Sequence, residues 1–409
     1  MEKQTLTEYA SLLVKFGLGD VRDREVLIHS SVETYEFARL CVSAAYEAGA
    51  AEVTVLYGDD FVSRSHFLKA HDRFIDSTAV WKKRLYNDYA KAGVPTLFLL
   101  ASDPMNLEGV LPERLLRNAK AKAKDFAPLY RLEPAAFFPW CIAALPVVPW
   151  AKRVFPDLPE DKALSRLWAA VLETMRITGD GKSGERWKAH LETLKERTGK
   201  LNAFHFTSLH YTNSLGTDLT VKLPPNHVWQ SGEDKTPDGR VFVANMPTEE
   251  IFTAPLKTGT DGIVYASKPL VHNGNLIKDF YFVLKKGKIT EVHAKEGEEI
   301  LKNATEVDGG ACYLGEVALI PYDSPISKQN ILYYETLFDE NASCHLAFGE
   351  AYPCVEGGMK MSPGELKKQG LNHSAQHVDF MIGTKDLSIV GTDREGKEIR
   401  IFKNGNFCI

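Results

Sequence analysis

Carboxylates and imidazoles alternate along one stretch of the C-terminal half. Glu316 lies in the run LGEVAL (314–319), Asp339, Glu340 and Asn341 stand together, His345 and Tyr352 follow, and His377 and Asp379 close the series. Oxygen and nitrogen donors separated by apolar residues are the donor set of a divalent-cation site. Glu316 carries the strongest argument, because its neighbours are Leu, Gly, Val, Ala and Leu and no Lys or Arg occurs from 307 to 327. A carboxylate buried in such a run must meet a cation from elsewhere, bind a metal or be protonated. His377 and Asp379 are two apart in a strand-like run, so period two puts both on one face, with Val378 and Phe380 on the other. Glu340 and His345 are five apart and do not share a helical face. A helix capped by Asn341 is expected there, with Glu340 at its mouth and His345 in an early turn.

Upstream, Glu249 and Glu250 stand between Pro247 and the apolar pair Ile251-Phe252. A pair of glutamates in that position is odd for an exposed turn, and residue physics does not separate the two. Cys344 and Cys354 are ten apart, not the two to four residues of a thiolate zinc site, and are read as packing. The chain contains neither HExxH nor G-x-S-x-G, so zincin and serine-hydrolase chemistry have no support.

The elements that must position these residues fall into two textures. Apolar runs at 25–29, 52–57, 94–100 and 141–145 read as strands. Helical patterns at 6–16, 32–48, 159–178 and 185–198 alternate with them, which predicts a doubly wound, mainly parallel sheet. No GxGxxG or GxxxxGK[ST] follows a strand, so nucleotide binding has no fingerprint, and the glycine-rich 179–184 reads as a connection between helices. From about 200 the pattern becomes short β-like runs (219–223, 241–244, 263–266, 280–284, 401–402). Turn pairs at Asp238-Gly239, Asp261-Gly262, Asn273-Gly274, Lys286-Gly287 and Asn404-Gly405 separate them. The expected organisation is an α/β domain over 1–200, followed by an antiparallel-β-rich, metal-binding catalytic domain over 201–409.

Length and composition agree. At 409 residues two domains are the natural expectation, and 44% hydrophobic with 25% charged residues is an ordinary globular balance. A net charge of −5 gives no general attraction for nucleic acid, and the basic run 114–124 reads as a solvated helix face. The longest apolar stretch, 137–150, is broken by three prolines and too short for a bilayer. The six cysteines (41, 141, 312, 344, 354, 408) form no disulfide framework, and the N-terminus has no apolar signal core, so a reducing cytoplasm is expected.

Four stretches together resemble the aminopeptidase T family of thermophilic metallo-aminopeptidases, which includes aminopeptidase S and PepS. They are 245–255 (NMPTEEIFTAP), 314–319 (LGEVAL), 339–352 (DENASCHLAFGEAY) and 377–383 (HVDFMIG), and length and domain order match over the whole chain. The resemblance implies two divalent ions held by Glu250, Glu316, Glu340, His345, His377 and Asp379, and two histidines among hard carboxylates suit zinc, cobalt or manganese. Choosing Glu250 over Glu249 as a ligand rests on the family motif alone. It further implies peptide substrates with a free N-terminus, a homodimer, and Tyr352 as a non-ligand of the site. On this reading Glu316 bridges the ions, Tyr352 donates to the oxyanion, and Glu249 or Glu316 carries the proton to the leaving amine. The competing readings are a dinuclear hydrolase of another class (phosphoesterase or amidohydrolase) and a non-enzymatic α/β protein with a structural ion.

Overall fold

Val26, Leu27 and Ile28 are buried in succession, the signature of a strand covered on both faces rather than one. Their strand, Glu25–Ser31, is the second of a four-stranded sheet in the computed structural model, which describes residues 3–133, 135–272 and 275–409. The order across the sheet is Glu52–Gly58, Glu25–Ser31, Thr96–Leu100, Trp140–Ala144, and every pairing is parallel. Each of the four expected strands is present. The connections carry helices, among them Tyr35–Glu47, which buries Phe37, Ala38, Cys41, Ala44 and Ala45. The glycine-rich 179–184 links helix Glu160–Thr174 to helix Ser183–Phe204.

The chain divides into two compact units, one of Met1–Ala189 with Glu233–Pro247 and one of His190–Gly232 with Thr248–Ile409. The position of the expected boundary, near 200, lies inside helix Ser183–Phe204. The run 241–244, read from sequence as part of the second domain, belongs to the first unit. Val241–Phe242 forms a hairpin with Asp234–Lys235, and Asn245 makes a parallel bridge to Ile142 in the last strand of the parallel sheet. That excursion depends on a pairing about a hundred residues away in sequence, which no local pattern reveals.

The second unit is built of antiparallel pairings. Nine strands form one sheet, from Leu270–His272 and Asn275–Lys285 through Thr260–Tyr265, Asp218–Lys222, Ser208–Thr212 and Ser388–Thr392 to Glu398–Lys403 and Asn406–Phe407, with Lys288–Glu296 paired on Asn275–Lys285. Five strands form the other, in the order His377–Met381, His345–Gly349, Leu314–Leu319, Ile251–Thr253, Gln230–Ser231. Lys286-Gly287 and Asn404-Gly405 have both central φ values positive, as two-residue hairpins of type I′ require. Asp261-Gly262 is not a turn, because it lies within strand Thr260–Tyr265. Asn273-Gly274 lies outside the described residues.

The two sheets bury their facing side chains against each other. Phe280 and Phe282 of the large sheet meet Phe348 and Phe380 of the small one at centroid distances of 5.1 to 6.0 Å. Val317, Leu319, Leu346, Val378 and Ile382 complete that layer. One face of the five-stranded sheet is therefore committed to the core, and alternation leaves the other face for chemistry. Phe380→Ala removes a fully buried ring from this layer and is expected to destabilise the second unit by about 3–5 kcal/mol. Urea unfolding followed by tryptophan fluorescence measures it, and an unchanged midpoint would contradict the packing described.

Candidate metal centre

The register of the small sheet sets the site. Glu316 pairs with Ala347, and Ala347 pairs with Asp379, so the three occupy one row across three strands. Ala347 has no bulk, and the two carboxylates face each other over it. His345 is two residues from Ala347, and His377 is two from Asp379, so all four functional side chains share a face. Gly349 pairs with His377 and Ala318 with His345, which again puts a small residue beside each imidazole. The large apolar residues of the same strands, Val317, Leu346, Phe348, Val378 and Phe380, point into the core.

A β-bulge places Glu316 on this face. The pairing shifts between Leu314 and Glu316, leaving Gly315 as the extra residue. Strict alternation would send Leu314 and Glu316 to the same side. The bulge lets Leu314 remain in the core while Glu316 joins the site. Gly315 is needed there because a Cβ would stand 2.1 Å from the carbonyl oxygen of Glu350. Gly349 sits at φ +111°, a conformation that L side chains rarely adopt.

Six expected ligands can now be located. Glu250, Glu316 and His345 bring ligand atoms within 4.8 Å of one another, as do Glu316, His377 and Asp379, so Glu316 belongs to both groups. His377 Nε2 is 3.0 Å from Glu316 Oε2 and 3.2 Å from Asp379 Oδ1. His345 Nε2 is 3.6 Å from Glu250 Oε2 and 3.9 Å from Asp379 Oδ1. The 3.0 Å contact is itself a hydrogen bond, and since two donors bound tetrahedrally to one zinc at ~2.0–2.2 Å stand ~3.3 Å apart, groups this close need move little to hold an ion. Glu340 lies outside both groups. It follows helix Thr336–Asp339 in a 3-10 turn and is close enough to Glu250, Asp379 and Glu316 for their charges to act on it.

Glu250 and Glu249 part company. Glu250 precedes strand Ile251–Thr253 with the parity of Phe252, which lies opposite Ala318 on the site face. Glu249 has its carboxylate 3.8 Å from His190 Nε2, and its backbone N–H donates to Asn341 Oδ1 at 2.8 Å. Asn341 is fully buried and also donates to the Leu337 carbonyl at 3.0 Å. It is not a helix cap. It fastens the segment bearing both glutamates to the turn bearing Glu340. His345 likewise is not in a helix but opens strand His345–Gly349.

Both histidines have a fixed orientation. His377 Nδ1–H donates to the Glu350 carbonyl at 2.7 Å, and His345 Nδ1 is 3.3 Å from the Ser343 carbonyl. Anchoring Nδ1 turns Nε2 toward the carboxylates as a metal-facing lone pair. These carbonyl anchors have no side-chain signal in the sequence and were not anticipated there. Tyr352, 44% exposed, sets its ring edge-on against His377 at 5.2 Å and beside Phe252 at 5.6 Å. It is a wall of the site and not a core aromatic.

The electrostatics calls for cations. Burial first, then the charges of Glu316 and Asp379, push Glu250 up to about 8. Glu340 is also raised well above the usual carboxylate range, by burial and then by Glu250, Asp379 and Glu316. Burial works against charge on His377 and His345, yet Asp379 and Glu316 outweigh it and raise both imidazoles. Asp379 is lowered despite its burial, chiefly by His377. Asp379 Oδ1 is nevertheless a buried oxygen without a hydrogen bond. Orphaned oxygen, fixed tautomers and two donor groups sharing one carboxylate suit hard or borderline divalent ions. Thiolates do not contribute, since Cys344 Sγ is engaged with the backbone of Ile320.

Comparison with known proteins agrees with this chemistry. Residues 2–407 match the family described as Thermophilic metalloprotease (M29). Aminopeptidase AmpS of Bacillus subtilis is 41% identical over 406 residues, covering 99% of this chain and 98% of its own. Aminopeptidase T of Thermus aquaticus is 37% identical over 410 residues, covering 99% of both chains. Among solved structures, wild-type AmpT from Thermus thermophilus superposes with a TM-score of 0.92 at 36% identity over the whole of both chains. A parallel α/β sheet, an antiparallel unit with a buried carboxylate–imidazole face and family-wide similarity converge, and the chain belongs to the M29 family of thermophilic metalloproteases.

Proposed function

We propose that the protein is a metal-dependent aminopeptidase that removes N-terminal residues from peptides, with two divalent ions (zinc, cobalt or manganese) held by Glu250, Glu316, Glu340, His345, His377 and Asp379. The observation that carries this reading is the sharing of Glu316 by two donor groups on one sheet face. Such ions, when bound, polarise the scissile carbonyl and acidify a water. The side chains do the rest. Glu316 belongs to both donor groups and would be shared by the ions, and the anchored rings of His345 and His377 would offer their Nε2 atoms as ligands. Tyr352 flanks His377, remains protonated at neutral pH and donates to the oxygen that gains charge. Two carboxylates are candidates to carry the proton to the leaving amine: Glu316 within the centre, and Glu249 beside His190. A homodimer in the cytoplasm belongs to the same reading. Its six cysteines are free, and no helix among the described residues is long and apolar enough to cross a membrane.

The test is hydrolysis of leucine p-nitroanilide against p-nitrophenyl phosphate, each with and without chelator, alongside metal content per chain. Chelator-sensitive amidase activity with two ions per chain is expected. Phosphatase activity without amidase activity would replace the peptidase by a phosphoesterase, and one inert ion would make the site structural.

Glu316→Gln is expected to leave a folded protein whose metal affinity and turnover fall beyond the ~10–100-fold that follows from losing a hydrogen-bond partner of a metal ligand. Full activity in that variant would remove Glu316 from the site. Tyr352→Phe is expected to keep its metal and KM while kcat drops about 10²–10³-fold, the loss of one oxyanion donor. A raised KM with unchanged kcat would make Tyr352 a binding wall only. Metal uptake also has a sign in pH. Glu250 is pushed up to about 8, so it holds a proton near neutrality that it must release to the ions, and His345 and His377 are shifted in the same direction. Affinity is expected to weaken as pH falls through about 8, with proton release visible calorimetrically in buffers of different ionisation enthalpy. Metal binding without proton release would contradict it.

A further inference from the structure

The ring of His377 is fixed by one backbone carbonyl, that of Glu350, 2.7 Å from Nδ1. Glu350 follows Gly349, the last residue of strand His345–Gly349, and Gly349 sits at φ +111°. Glycine gives the peptide between them more rotational freedom than another residue would, so its plane has to be held from outside. Two contacts hold it. The Glu350 N–H donates to the Gln376 carbonyl at 2.6 Å, and the Gly349 carbonyl accepts from Asn372 Nδ2 at 2.6 Å. The same amide nitrogen donates to the Gly310 carbonyl at 2.8 Å. Asn372 stands five residues before His377 and is 3% exposed. Its Oδ1 meets no hydrogen-bond donor among the described residues. Turning the amide over would aim that oxygen at two carbonyl oxygens, so the acceptors dictate its orientation and leave the oxygen orphaned.

We propose that Asn372 is a positioning residue for His377, a role that rests on the metal-centre reading. Asn372 fixes the 349–350 peptide, the Glu350 carbonyl that follows fixes Nδ1 of the imidazole, and Nε2 is thereby aimed into the group that His377 forms with Glu316 and Asp379. The effect is selective. Glu250 and His345 belong to the other group, and His345 Nδ1 lies against the Ser343 carbonyl instead. A side chain that only stabilised the fold would weaken both groups alike. Asp308 supplies the control. Its carboxylate accepts from the N–H groups of Gly310, Ala311 and Ala375 at 2.6–2.9 Å and from Ser374 Oγ at 3.0 Å. It therefore fastens the same 372–376 turn and makes no hydrogen bond to the 349–350 peptide.

The experiment titrates the metal-free protein with Co²⁺ by calorimetry, in wild type, Asn372→Leu, Asn372→Ala, Asp308→Asn and His377→Ala. The two Asn372 variants differ in volume while both remove the donors, so an effect common to them is not one of packing. Wild type is expected to take up two ions, and the step lost in His377→Ala is the one that His377 serves. Both Asn372 variants are expected to weaken that step by about tenfold or more, as losing the support of a ligating histidine does, while the other step changes less than about threefold. Asp308→Asn is expected to lower the thermal midpoint and leave both steps in place. Equal weakening of both steps, unchanged uptake, or failure of both Asn372 variants to fold would make Asn372 a purely structural residue and overturn its positioning role. So would the same selective loss in Asp308→Asn. A wild type that takes up no Co²⁺ refutes the metal-centre reading itself, and the role of Asn372 with it, before any variant is compared.

Discussion

The second unit depends on one electrostatic constraint: Glu250, Glu316 and Asp379 converge on a sheet face that is largely shielded from water. Like charges at such separations repel strongly where the dielectric is low, and each also forgoes hydration. The pattern of protonation follows from that. Glu250 and Glu340 are both shifted toward the protonated form, and the imidazoles are driven toward the charged form. Protons neutralise charge but cannot satisfy the geometry, and Asp379 Oδ1 still lacks a hydrogen bond. Divalent ions meet both demands at once.

Backbone architecture makes this concentration of charge tolerable. A sheet of fixed register holds the donors without flexible linkers, and the residues between them are the smallest available, Ala318, Ala347 and Gly349. The same strands bury Val317, Leu346, Phe348 and Phe380 on the other side. The hydrophobic layer therefore supplies the rigidity that the charged face lacks, and the Gly315 bulge reconciles the two by letting Leu314 and Glu316, two apart on one strand, serve opposite faces. Catalytic sites carried on strands rather than loops keep their donors in place when the charges are unscreened.

Much of this was legible in the residues. The four parallel strands announced themselves as short β-branched or apolar runs, and the apolar neighbours of Glu316 correctly indicated a buried carboxylate, now 4% exposed. Period two correctly put His377 and Asp379 on one face. What failed was local inference about long-range partners. Asn341 has the composition of a helix cap, yet its amide is taken by Glu249 and Leu337. The hairpin 234–242 reads like its β-rich surroundings, and only the bridge from Asn245 to Ile142 assigns it to the other unit. Asp261-Gly262 has turn composition, but the strands on both sides impose extension. In each case a tertiary contact outweighed a propensity of roughly 1 kcal/mol or less.

The contrast between Glu249 and Glu250 shows what a structure adds to adjacent identical residues. Sequence gives them equal chemistry. Strand parity separates them: Glu250 shares its side with Phe252 and reaches His345, while Glu249 turns to His190. The backbone N–H of Glu249 is gripped by Asn341, so the parity cannot slip without breaking a buried hydrogen bond. A one-residue slip would exchange the two carboxylates and empty one donor group. The buried amide of Asn341 therefore fixes the position of the donor group that contains Glu250, through the backbone of a residue that is not in either donor group.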